Sequence, residues 1–283
     1  MATVRTNGID TYYEQRGTGP PLVFVHAAIL DHSQWEPQIA ALSDEYTTYA
    51  YDVRGHGRTG GSARRAYTID LFADDLDAFV TELDIDRPVL CGLSTGGCIA
   101  QVYAARHDEQ LRGLVLADTF TPDLLSFRER LQRSLLLRAT IPPVRLVGYE
   151  RVERVLNWVQ ERLGGTDATG DYENIEQLRA DAPKMPTDEF AKVIRAVASF
   201  HETDVDLSAI RVPTLVLYGE DELPFVREHA RILARLPNCT VREVPNAGHA
   251  SNLDNSDYFT QATREFLTGL ETKNALGSKH DSE

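Results

Sequence analysis

Strand-length runs, most of them rich in apolar residues, alternate along this chain with helix-length amphipathic stretches. LVFVH (22–26), TTYAYD (47–52), PVLCG (88–92), LRGLVLAD (111–118), VPTLVLYG (212–219) and TVREVP (240–245) are too short for helices and rich in β-branched residues. The most apolar of them, LVFVH, fits a strand covered on both faces. Strands alternating with helices imply right-handed crossovers and hence an α/β fold: a mostly parallel central sheet with helices on both faces.

Other local signals place the remaining elements. Asn7-Gly8 suits the left-handed positions of a tight hairpin turn, so two antiparallel strands should open the chain. Ser33 and Glu36 have the spacing of a capping box, ahead of a stripe formed by Trp35, Ile39 and Leu42. Helices are expected from about Thr68 to Leu83, Thr95 to Arg106, Phe225 to Leu236 and Tyr258 to Leu270. From Thr119 to about Arg211 strand-like runs vanish and helical periodicity takes over, in residues 124–139, 148–163 and 188–200. Residues 1–118 and 212–270 are therefore expected to form the core, 119–211 an inserted helical cap, and 271–283 a frayed tail.

Charge excludes several partners. A formal charge of −14 opposes binding to phosphate backbones and anionic lipid surfaces, which need clustered Lys and Arg. Nucleic acid and membrane are thus not expected partners. The start, MATVRTNGIDTYY, lacks the pattern of a secretory signal, and no apolar run is long enough to span a bilayer, so a cytoplasmic location is expected. Cys91, Cys98 and Cys239 are odd in number and lie in apolar stretches, which suits free thiols better than disulfides. With no CxxC or HxxxH spacing, neither a metal nor a cofactor is expected.

The sharpest chemical signal is Gly92-Leu93-Ser94-Thr95-Gly96-Gly97, set between an apolar strand and an amphipathic helix. A serine held on such a turn takes a strained backbone, and only very small residues two positions away leave room for the neighbouring chain. The helix that follows aims its free N–H groups and positive end at any oxyanion formed there. Ser94 is the candidate nucleophile. A serine hydroxyl needs an adjacent base, and His249, in the loop Asn246-Ala247-Gly248-His249, is the best placed. His26 ends a buried strand and His56 sits in a turn, while His32, His107, His201, His229 and His280 read as helix-surface or tail residues. A third group should orient the imidazole. In the order Ser, acid, His it belongs after the penultimate strand, where Glu220, Asp221 and Glu222 compete. Asp118 is a further option, with strand closure and capping as its alternative role.

Taken together, HAAILDHSQW, DVRGHG, GLSTGG, LVLYGEDELP and NAGH resemble the α/β-hydrolase fold superfamily, in the capped branch of small esterases, enol-lactonases and cofactor-free haloperoxidases. The resemblance runs over nearly the whole chain. It implies that the acid falls three residues after the strand-ending glycine, at Glu222, with Asp221 as the alternative. The oxyanion donors it implies are the backbone N–H groups of Ala28 and Thr95, although Ala27 stands where glycine is usual. Arg54, in the DVRGHG turn, is expected to pair with Asp52 or a neighbouring acid. Cys91 and Cys98 flank Ser94 as small buried hydrophobes rather than catalytic thiols.

These expectations converge on a serine hydrolase acting on a small, largely apolar ester or lactone, with cap residues including Trp158 closing over it. Perhydrolysis or C–C bond hydrolysis by the same triad is the nearest rival. A non-catalytic small-molecule binding protein on the same scaffold is the rival of another class. Monomer and homodimer both remain open.

Overall fold

The computed structural model describes residues 2–122, 127–148, 151–152 and 183–280, without the side chains of 127–129, 132–133 and 273–280. In chain order the core comprises β1 (Ala2–Thr6), β2 (Ile9–Arg16), β3 (Pro21–Val25), α1 (Glu36–Leu42), β4 (Thr47–Tyr51), α2 (Ile69–Glu82), β5 (Val89–Leu93), α3 (Thr95–His107) and β6 (Gly113–Ala117). After α4 (Phe127–Ala139), α5 (Ile141–Val147) and α6 (Thr187–Ala198), it resumes with β7 (Thr214–Gly219), α7 (Pro224–Leu233), β8 (Cys239–Val244), α8 (Ser251–Asp254) and α9 (Ser256–His280).

The strands form one sheet in the order β1-β2-β4-β3-β5-β6-β7-β8, parallel except where β2 pairs antiparallel with β1 and β4. Asn7 and Gly8 turn the opening hairpin with φ of 39° and 83°. Because β3 lies between β4 and β5, the chain leaves it first to one side and then to the other. In open α/β sheets, the carboxyl ends of the strands at such a reversal are where ligand sites are built.

The central strands β3, β5 and β6 are buried on both faces because alternate residues face opposite layers. Val23 and Val25 of β3 join Leu76, Phe79 and Tyr103 of α2 and α3, whereas Leu22 and Phe24 join Trp35, Ile39 and Phe259 under α1 and α9. Each fully buried Leu or Phe contributes about 1.5–3 kcal/mol, so these layers fix the strand ends rigidly.

Two local expectations are corrected. Ser33 and Glu36 form no capping box: Asp31 caps a 3₁₀ turn, His32–Trp35, by accepting from Ser33 N, and Glu36 pairs with Arg16. A short polar side chain directly before the turn reaches the free N–H first. Likewise α9 runs beyond Leu270, so residues 271–280, expected as a frayed tail, have a helical backbone.

Between β6 and β7 the described residues contain helices and no strand. The helix expected at 148–163, with Trp158, lies mostly outside them. In this segment Ile141 and Val144 of α5 pack on Phe190, Ala191 and Ile194 of α6. Glu189 of α6 fastens the segment to the loop after β4. It accepts from Tyr67 Oη and, at 2.7 Å, from Lys192 Nζ, which also donates to Ser62 O.

Candidate active site

Ser94 occupies the turn between β5 and α3 with φ 53° and ψ −114°, a conformation that L-residues rarely adopt. The surrounding bonds over-determine it. Its N–H donates to Ala117 O, while its carbonyl accepts from Cys98 N and, at 2.7 Å, from Thr119 Oγ1. Close approach explains the flanking glycines: a Cβ at Gly92 would lie 2.4 Å from Gly96 O, and one at Gly96 2.0 Å from Val25 O. Neither position can carry a side chain. The elbow thus packs against the end of β3.

His249 arrives from the loop after β8, and Glu222 from the loop after β7. The two loops are interlocked, since Asp221 N donates to Ala247 O, Asn246 N donates to Glu220 Oε2, and a Cβ at Gly219 would lie 2.3 Å from Ala247 O. The imidazole spans the gap to the serine. Nδ1 lies 2.6 Å from Glu222 Oε2 and Nε2 lies 2.9 Å from Ser94 Oγ. Glu222 also accepts from Leu223 N at 2.7 Å, and none of its side chain is exposed. A buried carboxylate on Nδ1 directs that nitrogen's proton to itself and leaves Nε2 as the acceptor for the serine O–H. Of the two competing acids, the structure brings Glu222 to the histidine. Asp221 is exposed.

Across the turn after β3, Ala27 avoids positive φ; Ile29 takes the left-handed value instead, 65°. The chain bends there, with Leu30 N donating to Ala27 O. Among the described residues neither Ala28 N nor Thr95 N has a hydrogen-bond partner. Ala27 N is taken by Gln34 Oε1 at 2.8 Å, so Ala28 is the first free donor of this turn.

Asp118, a further option for the triad acid on sequence grounds, is a second carboxylate at the site, and its hydrogen bonds run to Gly219 and Ser251, whereas Glu222 is the acid on His249 Nδ1. It is fully buried, accepting from Gly219 N through Oδ1 and from Ser251 N and Oγ through Oδ2. What it caps is α8, far along the chain, rather than the residues that follow it. Burial and the nearby charge of Glu222 push its carboxyl well above the usual range, against the opposing pull of His249.

Other expected residues take structural places. Arg54 clamps Asp75 with Nε and Nη2 at 2.7 and 2.6 Å, and Nη2 also donates to Asn7 O. Burial lowers His26 to about 4, keeping it neutral; its Nε2 accepts from Val53 N and its Nδ1 donates to Ala27 O. Cys91 and Cys98 are buried free thiols, with burial pushing Cys91 up. Two histidines expected on helix surfaces are instead buried. His32 lies 2.6 Å from Asp52, and His229 Nδ1 accepts from Thr121 N. Among the described residues, Asp31, His32 and Asp52 form the one cluster close enough for a metal. Its oxygens already accept from Ser33 and Arg58 N, and nothing there points to an ion.

Comparison with known proteins agrees with this architecture. The profile of the family described as alpha/beta hydrolase fold matches residues 20–256. A thermophilic esterase from Thermogutta terrifontis superposes with a TM-score of 0.74 at 28% identity, over 95% of this chain and 97% of its own. The enol-lactonase from Burkholderia xenovorans LB400 gives 0.75 at 26% identity, over 94% and 99%. In sequence, the non-heme chloroperoxidase CPO-A1 of Kitasatospora aureofaciens is 26% identical over 274 residues, covering 92% of this chain and 97% of that one. Sheet order, elbow geometry and family profile agree: the chain belongs to the α/β-hydrolase fold family.

Proposed function

We propose that this protein is a serine hydrolase that cleaves small, largely apolar carboxylic esters or lactones through an acyl-enzyme on Ser94. The observation that carries the reading is the unbroken line from Ser94 Oγ through both ring nitrogens of His249 to the buried carboxylate of Glu222. In this reading His249 Nε2 takes the hydroxyl proton as Oγ attacks the substrate carbonyl, and Glu222 stabilises the imidazolium. Ala28 N and Thr95 N face the developing oxyanion as fixed donors, the latter at the positive end of α3. Collapse of the tetrahedral intermediate expels the alkoxide, which takes the proton from Nε2. Water, deprotonated by the same nitrogen, then releases the acid and regenerates Ser94.

The helical segment between β6 and β7 acts as a cap over this site. Support comes from Ile29, next to Ala28, which packs against the Ile141, Val144, Phe190 and Ile194 cluster of that segment. An apolar wall of this kind favours an apolar acyl or alkyl group. Trp158 lies outside the described residues. The free thiols of Cys91, Cys98 and Cys239 support a cytoplasmic enzyme. Among the described residues no helix is long and apolar enough to cross a membrane.

Hydrolysis of a short-chain p-nitrophenyl ester by the wild type and by Ser94→Ala, without added metal, tests the proposal. Turnover lost in the variant is the expected outcome; equal rates in both would refute it. The chloroperoxidase relative supports a second reading, in which hydrogen peroxide replaces water and the acyl-enzyme yields a peracid that oxidises halide. Bromination dependent on acetate, peroxide and Ser94 would identify it.

A further inference from the structure

Three loops meet behind the imidazole, and a single carboxylate touches two of them. Asp118, at the end of β6, accepts from Gly219 N at 2.9 Å, from Ser251 N at 3.2 Å and from Ser251 Oγ. Gly219 closes β7 and leads directly to Glu222. Ser251 follows His249 by two residues and opens α8. Among the described residues, the partners that donate to Asp118 are neutral backbone and hydroxyl groups. The carboxylate is 0% exposed and feels the charge of Glu222, so its burial is unfavourable on electrostatic grounds. Its backbone is also left-handed, with φ 44°. A strained, buried acid beside another acid needs a compensating role, and its bonds supply one: they set the spacing of the two loops whose side chains must meet.

We propose that Asp118 is a positioning residue for the triad proposed above. Its carboxylate fastens the Glu222 loop to the His249 loop and thereby holds the contact between Glu222 Oε2 and His249 Nδ1. An acceptor oxygen is required toward each loop. Both loops present donors, and a carboxylate offers each an oxygen, whereas an amide can serve one loop and sets its own N–H₂ against the other.

The inference rests on the serine-hydrolase reading for its kinetic consequence but not for its geometric one, so the test reads both. In Asp118→Asn, kcat for the p-nitrophenyl ester is expected to fall about 10- to 100-fold with KM within about twofold, because misplacement of the base affects the reacting geometry rather than binding. The downfield proton resonance of the His249 Nδ1–H to Glu222 bond, identified by its loss in His249→Gln, should shift or broaden. Ser251→Ala, which removes only the hydroxyl arm, should give a smaller change in the same direction. Wild-type kcat and an unshifted resonance in a folded Asp118→Asn overturn the proposal. Should that variant not fold, the same pair of results in Ser251→Ala overturns it. A wild type that neither turns over esters nor reacts with a fluorophosphonate refutes the hydrolase reading instead, and the resonance still decides the role of Asp118.

Discussion

Asp221 and Glu222 are sequence neighbours that differ by one methylene, yet one is exposed and the other has its carboxylate sealed against His249. Truncation should separate them sharply. Glu222→Ala is expected to lower kcat on the order of 10³- to 10⁴-fold, as losing the orienting acid does in other triads, while Asp221→Ala stays within about threefold. Steady-state kinetics on one ester decides this. His32 offers a second residue-level prediction. Burial opposes its charge, but the hydrogen bond and charge of Asp52 outweigh it and raise the imidazole pKa; in turn His32 holds Asp52 below its usual value against the cost of burial. A raised histidine contributes stability fully below its unfolded value and loses it as pH rises through the folded value. The depressed Asp52 loses its share as pH falls through its own lowered value. His32→Gln should therefore cost on the order of 3 kcal/mol between those limits. The gap to wild type, followed by urea titration at several pH values, should narrow on both the alkaline and the strongly acidic side.

At the level of elements, the loop after β4 is held by the Arg54 to Asp75 clamp, which joins α2 to the Asn7 turn of the opening hairpin. Arg54→Ala strands a buried carboxylate and is expected to destabilise by about 3–5 kcal/mol; Arg54→Lys should not restore it, since an ammonium lacks the two-pronged geometry. Urea midpoints measure both. Elements of this kind were readable from sequence where the signal is local. The β3 run is buried on both faces and reads as such, and the elbow announces itself because glycines at 92 and 96 answer contacts with chain close by in the fold. Reading failed where a residue's partner lies far off. Asp118 meets Gly219 and Ser251 at separations of 101 and 133 residues, so no spacing in the chain reports its role. His32 looked like a surface residue because its partner Asp52 sits on the next strand's exit, and Ser33 matched a capping pattern that Asp31 pre-empted.

For the whole molecule, strand order converts dispersed segments into one site. Residues 26–28, 94–95, 219–222 and 249 all follow the carboxyl ends of strands of the sheet, and from them Ser94, Glu222 and His249 come within hydrogen-bond reach of one another. The rigid layers beneath carry the cost of one contorted position, Ser94, whose φ of 53° suits glycine better than any side chain. Ser94→Gly should thus be more stable than Ser94→Ala by about 1 kcal/mol, with both inactive, in a calorimetric comparison. The serine is accordingly a position at which survival of the fold and usefulness of the molecule pull apart. A lineage released from its chemistry would gain robustness by giving the hydroxyl up, so a chain that still carries it there bears the mark of selection for what the hydroxyl does.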